Sequence, residues 1–233
     1  MLNLKKLEDI AYLAFKNALR LHKDAITLYK ARSYPSAFYL SVLAQEEIGK
    51  MHIVSDFVFY TRTGEPRKNI IGIEKFEEEW LGVLYKHPRK QYAFIRNSPL
   101  HDGLLFRNGK LAVRKIAQEA SDGTFELKKQ EAVYVGLKRS RGKIDSKGKI
   151  SHPFKLSKKT AQDQITKIND YFLVMGMGIK CGSYSLDDPS IENELKSKRF
   201  LAALFSRWPH QSGSAIRQVR SMQKLLRGKV IPV

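Results

Sequence analysis

Residues 33–50 of this 233-residue chain read SYPSAFYLSVLAQEEIGK, and their pattern is that of a helix. Ser33 can act as an N-cap, and Pro35 falls in the first turn, where its missing N–H costs nothing. Small and apolar residues then recur at helical spacing, at Ala37, Leu40, Ala44, Ile48 and Met51. The stretch therefore predicts a largely buried helix that runs to about Tyr60.

Two adjacent carboxylates, Glu46 and Glu47, interrupt the apolar pattern of this helix, and Lys50 follows within one turn of both. Charges this near a core are costly unless they are paired. His87 and Lys90 lie one turn apart on the next predicted helix, so we expect all five side chains to form one polar cluster. Two roles are open for it: an active or phosphate-binding site, or a buried charge network that fixes helix register.

The rest of the chain reads as mainly helical. A stripe of Leu and Ala at spacings of three and four predicts a first helix over residues 4–29, packed antiparallel against a neighbour. A third helix is expected from about Glu74, kinked or divided by Pro88. Helical patterns resume at about Ser157 and at Asp188, and residues 212–233 look like a basic tail or a final short helix.

Residues 98–155 depart from this helical pattern. Asn108-Gly109 between apolar residues is a hairpin signal. Residues 132–137 read as a short buried strand or extended segment, and residues 138–155 as a basic loop. We therefore predict a helical domain over residues 1–205 with an insertion at about 98–155, followed by a basic C-terminal tail over residues 206–233.

The charge of the chain points to a polyanionic partner. Lys and Arg number 42 against 23 Asp and Glu, a formal net charge of +19. Residues 1–137 hold 22 basic and 16 acidic side chains, whereas residues 138–233 hold 20 and 7. Such asymmetry is typical of nucleic-acid binding, although a solubilising face or a patch for an acidic protein has the same composition. The candidate phosphate-binding residues are Lys138, Arg139, Arg141, Lys143, Lys147, Lys149, Lys155, Lys158, Lys159, Arg217, Arg220, Lys224 and Arg227.

Several function classes are disfavoured. The longest apolar runs are far shorter than a membrane span, and no signal peptide is apparent. The single cysteine, Cys181, excludes an internal disulfide framework. The adjacent glutamates lack the Glu-x-x-His partner of di-metal bundles. We therefore expect a cytoplasmic protein without membrane contact, metal or other cofactor.

The Pro-Ser-Ala and Leu-Ala-Gln-Glu-Glu-Ile-Gly-Lys segments of the opening stretch resemble the second helix of the HEPN superfamily, and in particular its AbiV branch of abortive-infection (phage resistance) proteins. His87-x-x-Lys90, and Ala132–Val135 with Pro153, resemble later elements of that family, so the resemblance covers about residues 4–175. It implies a mainly α, HEPN-like helical bundle with a small β-hairpin insertion and a basic C-terminal extension, and an antiphage role.

The resemblance also implies a test for ribonuclease chemistry. Many HEPN proteins cut RNA without metal, using an Arg, a polar residue and a His four to six residues after the Arg. Arg96, Asn97 and His101 fit that spacing. An imidazole can transfer a proton near neutral pH, and a guanidinium can hold the reacting phosphate. The family implies a homodimer whose site is shared between subunits. Because Pro99 breaks a helix between them, Arg96 and His101 are alternatively just solvated loop residues.

Two other functions stay open at this point. In the first, the chain is a non-catalytic abortive-infection protein that binds a phage protein or the translation machinery. In the second, it is the toxin of a toxin–antitoxin pair. Its partners would then include a phage-encoded activator or an antitoxin. Of the remaining side chains, we expect His22 and His52 at the surface or core edge. Tyr134 and Phe154 are candidates for stacking on RNA bases, with core packing the simpler expectation for Tyr134.

Overall fold

The computed structural model describes residues 4–63, 82, 84–99, 123–137, 139–140, 143–144, 149–186 and 188–228. Within these ranges the helices are α1 (Leu4–Lys30), α2 (Tyr34–Thr63), α3 (His87–Asn97), α4 (Thr124–Glu131), α5 (Lys158–Cys181), α6 (Pro189–Leu195), α7 (Lys198–Arg207) and α8 (Gly213–Gly228). The predicted mainly α class is confirmed. The expected start of a helix at Glu74 and the Asn108-Gly109 hairpin lie outside the described residues.

Helices α1 and α2 form a long helical hairpin. The predicted stripe of α1 is buried, at Leu7, Ala11, Ala14, Ala18, Leu21 and Ala25. The chain reverses after Lys30 through Arg32, whose φ of 64° is left-handed, and α2 then packs along α1. Burial of the α1 stripe supplies much of the apolar driving force for this pairing.

Helix α5 is the second centre of the bundle, and α2, α1 and α8 pack around it. Ser157 is the N-cap of this helix, because its side chain accepts a hydrogen bond from the Thr160 backbone N–H. The segment expected to be a tail or a final short helix is α8. Its Ala215, Val219 and Met222 are buried in the main core, so α8 is an integral part of the bundle.

Four two-residue strands lie between α4 and α5: β1 (Gly136–Leu137), β2 (Arg139–Ser140), β3 (Lys143–Ile144) and β4 (Ile150–Ser151). Strand β1 pairs antiparallel with β4, and β2 pairs antiparallel with β3. A 3₁₀ turn over Pro153–Lys155 leads into α5. The segment that we expected to be a basic loop therefore contains hairpin pairing.

The expectation of a buried segment over residues 132–137 is wrong for most of its side chains. Ala132 is buried, but Val133, Tyr134, Val135 and Leu137 are 41–70% exposed. The reason is that α4 already fills the adjacent space: its Phe125 packs with Ala132 in a second, smaller core cluster. The strand pair that follows projects from the helices into solvent.

Two histidines lie in the core as members of neutral polar pairs, which corrects their expected position at the surface or core edge. His22 Nε2 lies 3.2 Å from Asn169 Oδ1, and His52 Nε2 lies 2.7 Å from the Tyr171 hydroxyl. Both histidines are at most 5% exposed. Burial lowers the pKa of each to about 4, so both imidazoles are neutral at pH 7.

A carboxyl group beside them, that of Asp170, is also buried. Its Oδ2 accepts a hydrogen bond of 3.0 Å from the Ser212 backbone N–H. Burial raises the pKa of Asp170 to about 6, although the hydrogen bonds from Ser212 oppose this shift. The carboxylate therefore fastens the start of α8 to α5 at an electrostatic cost.

Candidate functional site

A carboxylate on α2 is the centre of a polar cluster where α2, α3 and α4 meet. Glu46, whose side chain is 2% exposed, accepts hydrogen bonds from His87 Nδ1 at 2.6 Å, Gln91 Nε2 at 2.8 Å and Lys129 Nζ at 3.0 Å. Lys90 Nζ lies 3.8 Å from the same carboxylate. These interactions satisfy a charge that would otherwise be strongly destabilising in this position.

Gly49 explains why α2 and α3 can approach closely enough to form this cluster. A Cβ placed on Gly49 would lie 1.9 Å from the carbonyl oxygen of Lys90, which is impossible without moving a backbone. The glycine therefore allows a direct helix-to-helix contact, one turn beyond Glu46. The Glu-Glu-Ile-Gly-Lys sequence thus combines the buried acid with the residue that brings its partners within reach.

The remaining predicted members of the cluster lie at its edge. Lys50 Nζ pairs with Glu47 Oε1 at 2.8 Å, and both side chains are partly exposed. Glu46, His87 and Lys90 come together as predicted, whereas Glu47 and Lys50 form a separate pair on the flank of α2.

Two members of the cluster were missed by sequence reasoning. Lys129 on α4 is 4% exposed and pairs both with Glu46 and, at 2.6 Å, with Glu126 Oε2. Gln91 on α3 is fully buried. Neither carries a distinctive motif; the only signal was the Glu126-x-x-Lys129 spacing, which is common on solvated helices.

His87 is the member of the cluster that meets solvent, with a side chain 44% exposed. An ionised carboxylate can only accept hydrogen bonds, so at 2.6 Å from Glu46 the Nδ1 atom is the donor. In the neutral ring the lone pair then resides on Nε2, which has no recorded hydrogen bond to any described residue. This arrangement presents an oriented base to solvent.

Exposed cations flank His87 at the start of α3. Pro88 lies in the first turn, so the predicted interruption falls at Lys86, the N-cap of α3. Lys86 and Arg89 are both exposed, but Arg89, two residues after His87, lies on nearly the opposite face of the helix. An anion near Nε2 would therefore meet the N-terminal end of the helix dipole, with Lys86 the nearest cation along the chain.

Charges also act on the buried amine of Lys90. Burial, the largest influence, lowers its pKa, and the nearby ammonium groups of Lys50 and Lys129 lower it further. The carboxylates of Glu46 and Glu47 act in the opposite direction. The cluster is therefore a balanced set of opposite charges rather than a simple positive pocket.

The Arg96, Asn97 and His101 set lies elsewhere. Arg96 is exposed and Asn97 partly buried at the last turn of α3, and His101 lies outside the described residues. Nine residues separate Arg96 from His87, which places them on opposite faces of a 3.6-residue helix. The structure therefore does not bring Arg96 into the Glu46 cluster.

The predicted phosphate-binding residues occupy two surfaces. Lys149, Lys155, Lys158 and Lys159 are exposed beside the strands, while Lys138, Arg141 and Lys147 lie outside the described residues and only the backbone of Arg139 and Lys143 is described. On α8 the basic side chains form an exposed stripe opposite the buried face, at Arg217, Arg220, Lys224 and Arg227.

The first of these surfaces also carries exposed aromatic rings. Phe154 is 88% exposed and Tyr134 is 67% exposed, so the expectation of core packing for Tyr134 is wrong. The Phe154 ring packs against His152, which lines a cavity of about 480 Å³ together with Lys149 and Lys155, and Tyr134 lines a second cavity that shares Ser151 with the first. Exposed rings among lysines suit stacking on unpaired bases.

Metal-ligand geometry arises where the sequence suggested none. Potential ligand atoms of Glu46, His87 and Glu126 lie within 4.8 Å of one another. Three separate helices contribute these residues, so no local spacing could have revealed them. Among the described residues, the space between them holds the Lys129 ammonium group.

Comparison with known protein families identifies the family of this chain. The HEPN_AbiV family model, described as AbiV, matches residues 6–173, which include nearly all of α1, all of α2 to α4 that the structure describes, and most of α5. Neither the curated proteins nor the solved structures contain a significant match. In the part of the chain that the structure describes, no helix is long and apolar enough to cross a bilayer.

Proposed function

The chain belongs to the AbiV family of HEPN-type abortive-infection proteins, and from this membership we propose that it is an antiphage effector that cuts RNA without a metal ion. One observation carries the proposal: a half-exposed imidazole, His87, is held at 2.6 Å by the buried carboxylate of Glu46. A buried carboxylate that fixes the tautomer and orientation of a histidine is a recurring arrangement for proton transfer.

The proposed reaction uses the 2′-hydroxyl of the RNA itself. His87 Nε2 takes the proton of that hydroxyl, and the 2′-oxygen attacks the adjacent phosphorus. The bond from phosphorus to the 5′-oxygen breaks, and this oxygen takes a proton from solvent water, which the half-exposed site admits. The products are a 2′,3′-cyclic phosphate and a 5′-hydroxyl end. Lys86, the exposed residue next to His87, would hold the phosphate while its charge redistributes.

Single-stranded RNA is the substrate that this surface favours. Tyr134 and Phe154 offer exposed rings for stacking, and Phe154 packs against His152 of the cavity that Lys149 and Lys155 also line. Proteins read unpaired bases in this way, whereas duplex RNA conceals its base faces. Helix α4 joins this surface to the cluster, since Glu126 and Lys129 contact the cluster while Lys128 lines the cavity. Binding should weaken steeply with salt.

The decisive experiment compares His87→Gln with His101→Ala and the wild type on single-stranded and duplex RNA, in the presence of a chelator. We expect His87→Gln to cut at least about a hundredfold more slowly, with an unchanged melting temperature, and His101→Ala to retain activity. His210→Gln, at an exposed histidine far along the chain, is the matched control. RNA with 2′-deoxy residues should resist cleavage.

Two results would contradict this assignment. If His101→Ala alone abolishes cleavage, the Arg96, Asn97 and His101 set is catalytic and the Glu46 cluster is structural. If the wild type cuts no RNA under any of these conditions, the ribonuclease proposal is wrong. Many HEPN sites are shared by two subunits, so we also propose that the protein is a homodimer. Light scattering of the wild type and of Arg96→Ala measures the molar mass of each and tests this proposal.

A non-catalytic role is the second candidate, and the exposed apolar row over Val133, Tyr134, Val135 and Leu137 favours it. Such a row is suited to a protein partner: a phage-encoded activator or target, the translation machinery, or an antitoxin. Toxicity that survives both His87→Gln and His101→Ala but disappears in Val135→Lys would support this role. Deleting α8 would be uninformative, because its apolar face is part of the core.

A further inference from the structure

An internal cation lies at the meeting point of three ligand atoms. Lys129 Nζ is 3.0 Å from Glu46 Oε1, 2.6 Å from Glu126 Oε2 and 3.2 Å from His87 Nδ1. The Lys129 side chain is 5% exposed and that of Glu46 is 2% exposed. The ammonium group is therefore enclosed by oxygen and nitrogen atoms and largely shielded from water.

The atoms around this ammonium are those that usually bind a divalent metal. Two carboxylates and an imidazole form a mixed oxygen and nitrogen donor set of the kind that Zn²⁺ accepts. The potential ligand atoms of Glu46, His87 and Glu126 already lie within 4.8 Å of one another. Small side-chain movements would bring them to the roughly 2.0–2.2 Å that zinc requires.

The observed distances nevertheless suit an ammonium group and not a metal ion. Lys129 Nζ donates a charge-assisted hydrogen bond of 3.0 Å to Glu46 Oε1 and forms an ion pair of 2.6 Å with Glu126 Oε2. Nδ1 of His87 also points its proton at Glu46, which leaves that atom unavailable as a ligand while this tautomer persists. Both features match a site built around an organic cation.

We propose that Glu46, His87 and Glu126 form a cation site whose resident is the protein's own Lys129. The lysine supplies, through a covalent tether, the positive charge that a bound metal would otherwise supply, and by occupying the site it keeps divalent ions out. Removing the ammonium leaves two carboxylates and an imidazole whose potential ligand atoms lie within 4.8 Å of one another, with Lys90 Nζ, 3.8 Å from Glu46, as the remaining cation. That arrangement binds a divalent ion. The inference does not depend on RNA cleavage.

The test converts the site by Lys129→Ala and measures Zn²⁺ binding by calorimetry and by thermal unfolding. We expect the variant to be less stable than the wild type without metal and to bind Zn²⁺ at least about tenfold more tightly than the wild type does. At a Zn²⁺ concentration a hundred times its Kd, the Tm should rise by about 5–10 °C. The wild type should show no such rise.

Two control variants make the result specific. Lys128→Ala changes the exposed neighbour on the same helix and should bind Zn²⁺ no better than the wild type, which accounts for binding to other surface groups. Glu46→Gln combined with Lys129→Ala removes one ligand charge and should lose the added affinity. If Lys129→Ala by itself does not fold, it should refold when Zn²⁺ is added.

The proposal is overturned if folded Lys129→Ala binds Zn²⁺ no more tightly than Lys128→Ala, if the wild type binds it equally well, or if an unfolded variant does not recover with Zn²⁺. Failure of the ribonuclease proposal would look different, because these readouts contain no RNA. If Zn²⁺ binds through Nδ1 of His87, the proton of the ring resides on Nε2, which can then no longer act as a base. Zn²⁺ should therefore restore the stability of Lys129→Ala but not support RNA cleavage by His87.

Discussion

The molecule holds imidazoles in two different environments. Between α1, α2 and α5, His22 and His52 are enclosed and pair with the neutral groups of Asn169 and Tyr171. Where α2, α3 and α4 meet, His87 is half exposed and pairs with the ionised Glu46. The difference decides what each ring can do at pH 7.

In the first region burial makes the two histidines unsuited to proton transfer at pH 7. Burial lowers the pKa of His22 and of His52 to about 4, so both rings are neutral at pH 7. In the second region the carboxylate orients the ring and leaves Nε2 toward solvent. A buried neutral pair thus serves packing, whereas an imidazole that a carboxylate orients at the surface can serve proton transfer.

The largest effect is expected from a substitution that forces α2 and α3 apart in the second region. Gly49→Ala places a Cβ 1.9 Å from the Lys90 carbonyl oxygen, and no rotamer change can relieve a clash with backbone. We expect the free energy of unfolding to fall by about 4 kcal/mol or more, together with loss of the Glu46 contacts. Urea denaturation at pH 7 measures it.

Gly136→Ala is the matched control for this substitution. A Cβ on Gly136 meets nothing within 4 Å, so its effect should stay within about 0.5 kcal/mol. Equal effects of the two substitutions would show that Gly49 is not needed for the close approach of α2 to α3.

Much of this second region could be predicted from the sequence. Charges inside an apolar helical pattern must find partners, so the adjacent glutamates on α2 predicted a cluster, and His87 and Lys90 lay at the right spacing on the next helix. Lys129 could not be predicted, because it arrives from a helix about 80 residues away along the chain, and only the tertiary fold sets that distance. For the same reason no local spacing indicated the ligand geometry with Glu126.

The first region was harder to predict. Along a helical pattern, a histidine on the buried face and one at its edge look alike, since the ring is both polar and flat. His22 and His52 find their partners on α5, more than 100 residues later. The prediction that residues 133–137 are buried was wrong for the opposite reason. An apolar run predicts burial, but Phe125 and Ala132 already occupy the smaller core cluster beside it.

The free energy of unfolding should fall as the pH is lowered, and the histidines of the first region should cause this fall. The ordinary pKa of histidine is 6.5, and in the folded chain His22 and His52 have values of about 4. Between these values the unfolded chain binds protons that the folded chain does not, so falling pH favours unfolding. Asp170 acts oppositely, since its pKa rises from 3.8 to about 6 on folding. We expect a net loss of about 2 kcal/mol between pH 7 and pH 5.

The contribution of Asp170 can be checked in the same denaturation series. Asp170→Asn removes the group whose protonation favours the folded state in acid, so the loss of stability on going from pH 7 to pH 5 should become steeper. A loss equal to or smaller than that of the wild type would contradict the assigned sign.

The smallest effect is expected where the first region is rebuilt without polar groups. Tyr171→Phe alone should cost about 1–2 kcal/mol, because it leaves His52 Nε2 buried without its partner. Tyr171→Phe combined with His52→Leu removes both partners and should lie within about 1 kcal/mol of the wild type. The double variant should also lose less stability between pH 7 and pH 5, since one of the two histidines with a lowered pKa is gone. A double variant less stable than Tyr171→Phe, or one with the full pH dependence, would show that the His52 ring has a role beyond packing, and the contrast with His87 would then no longer hold.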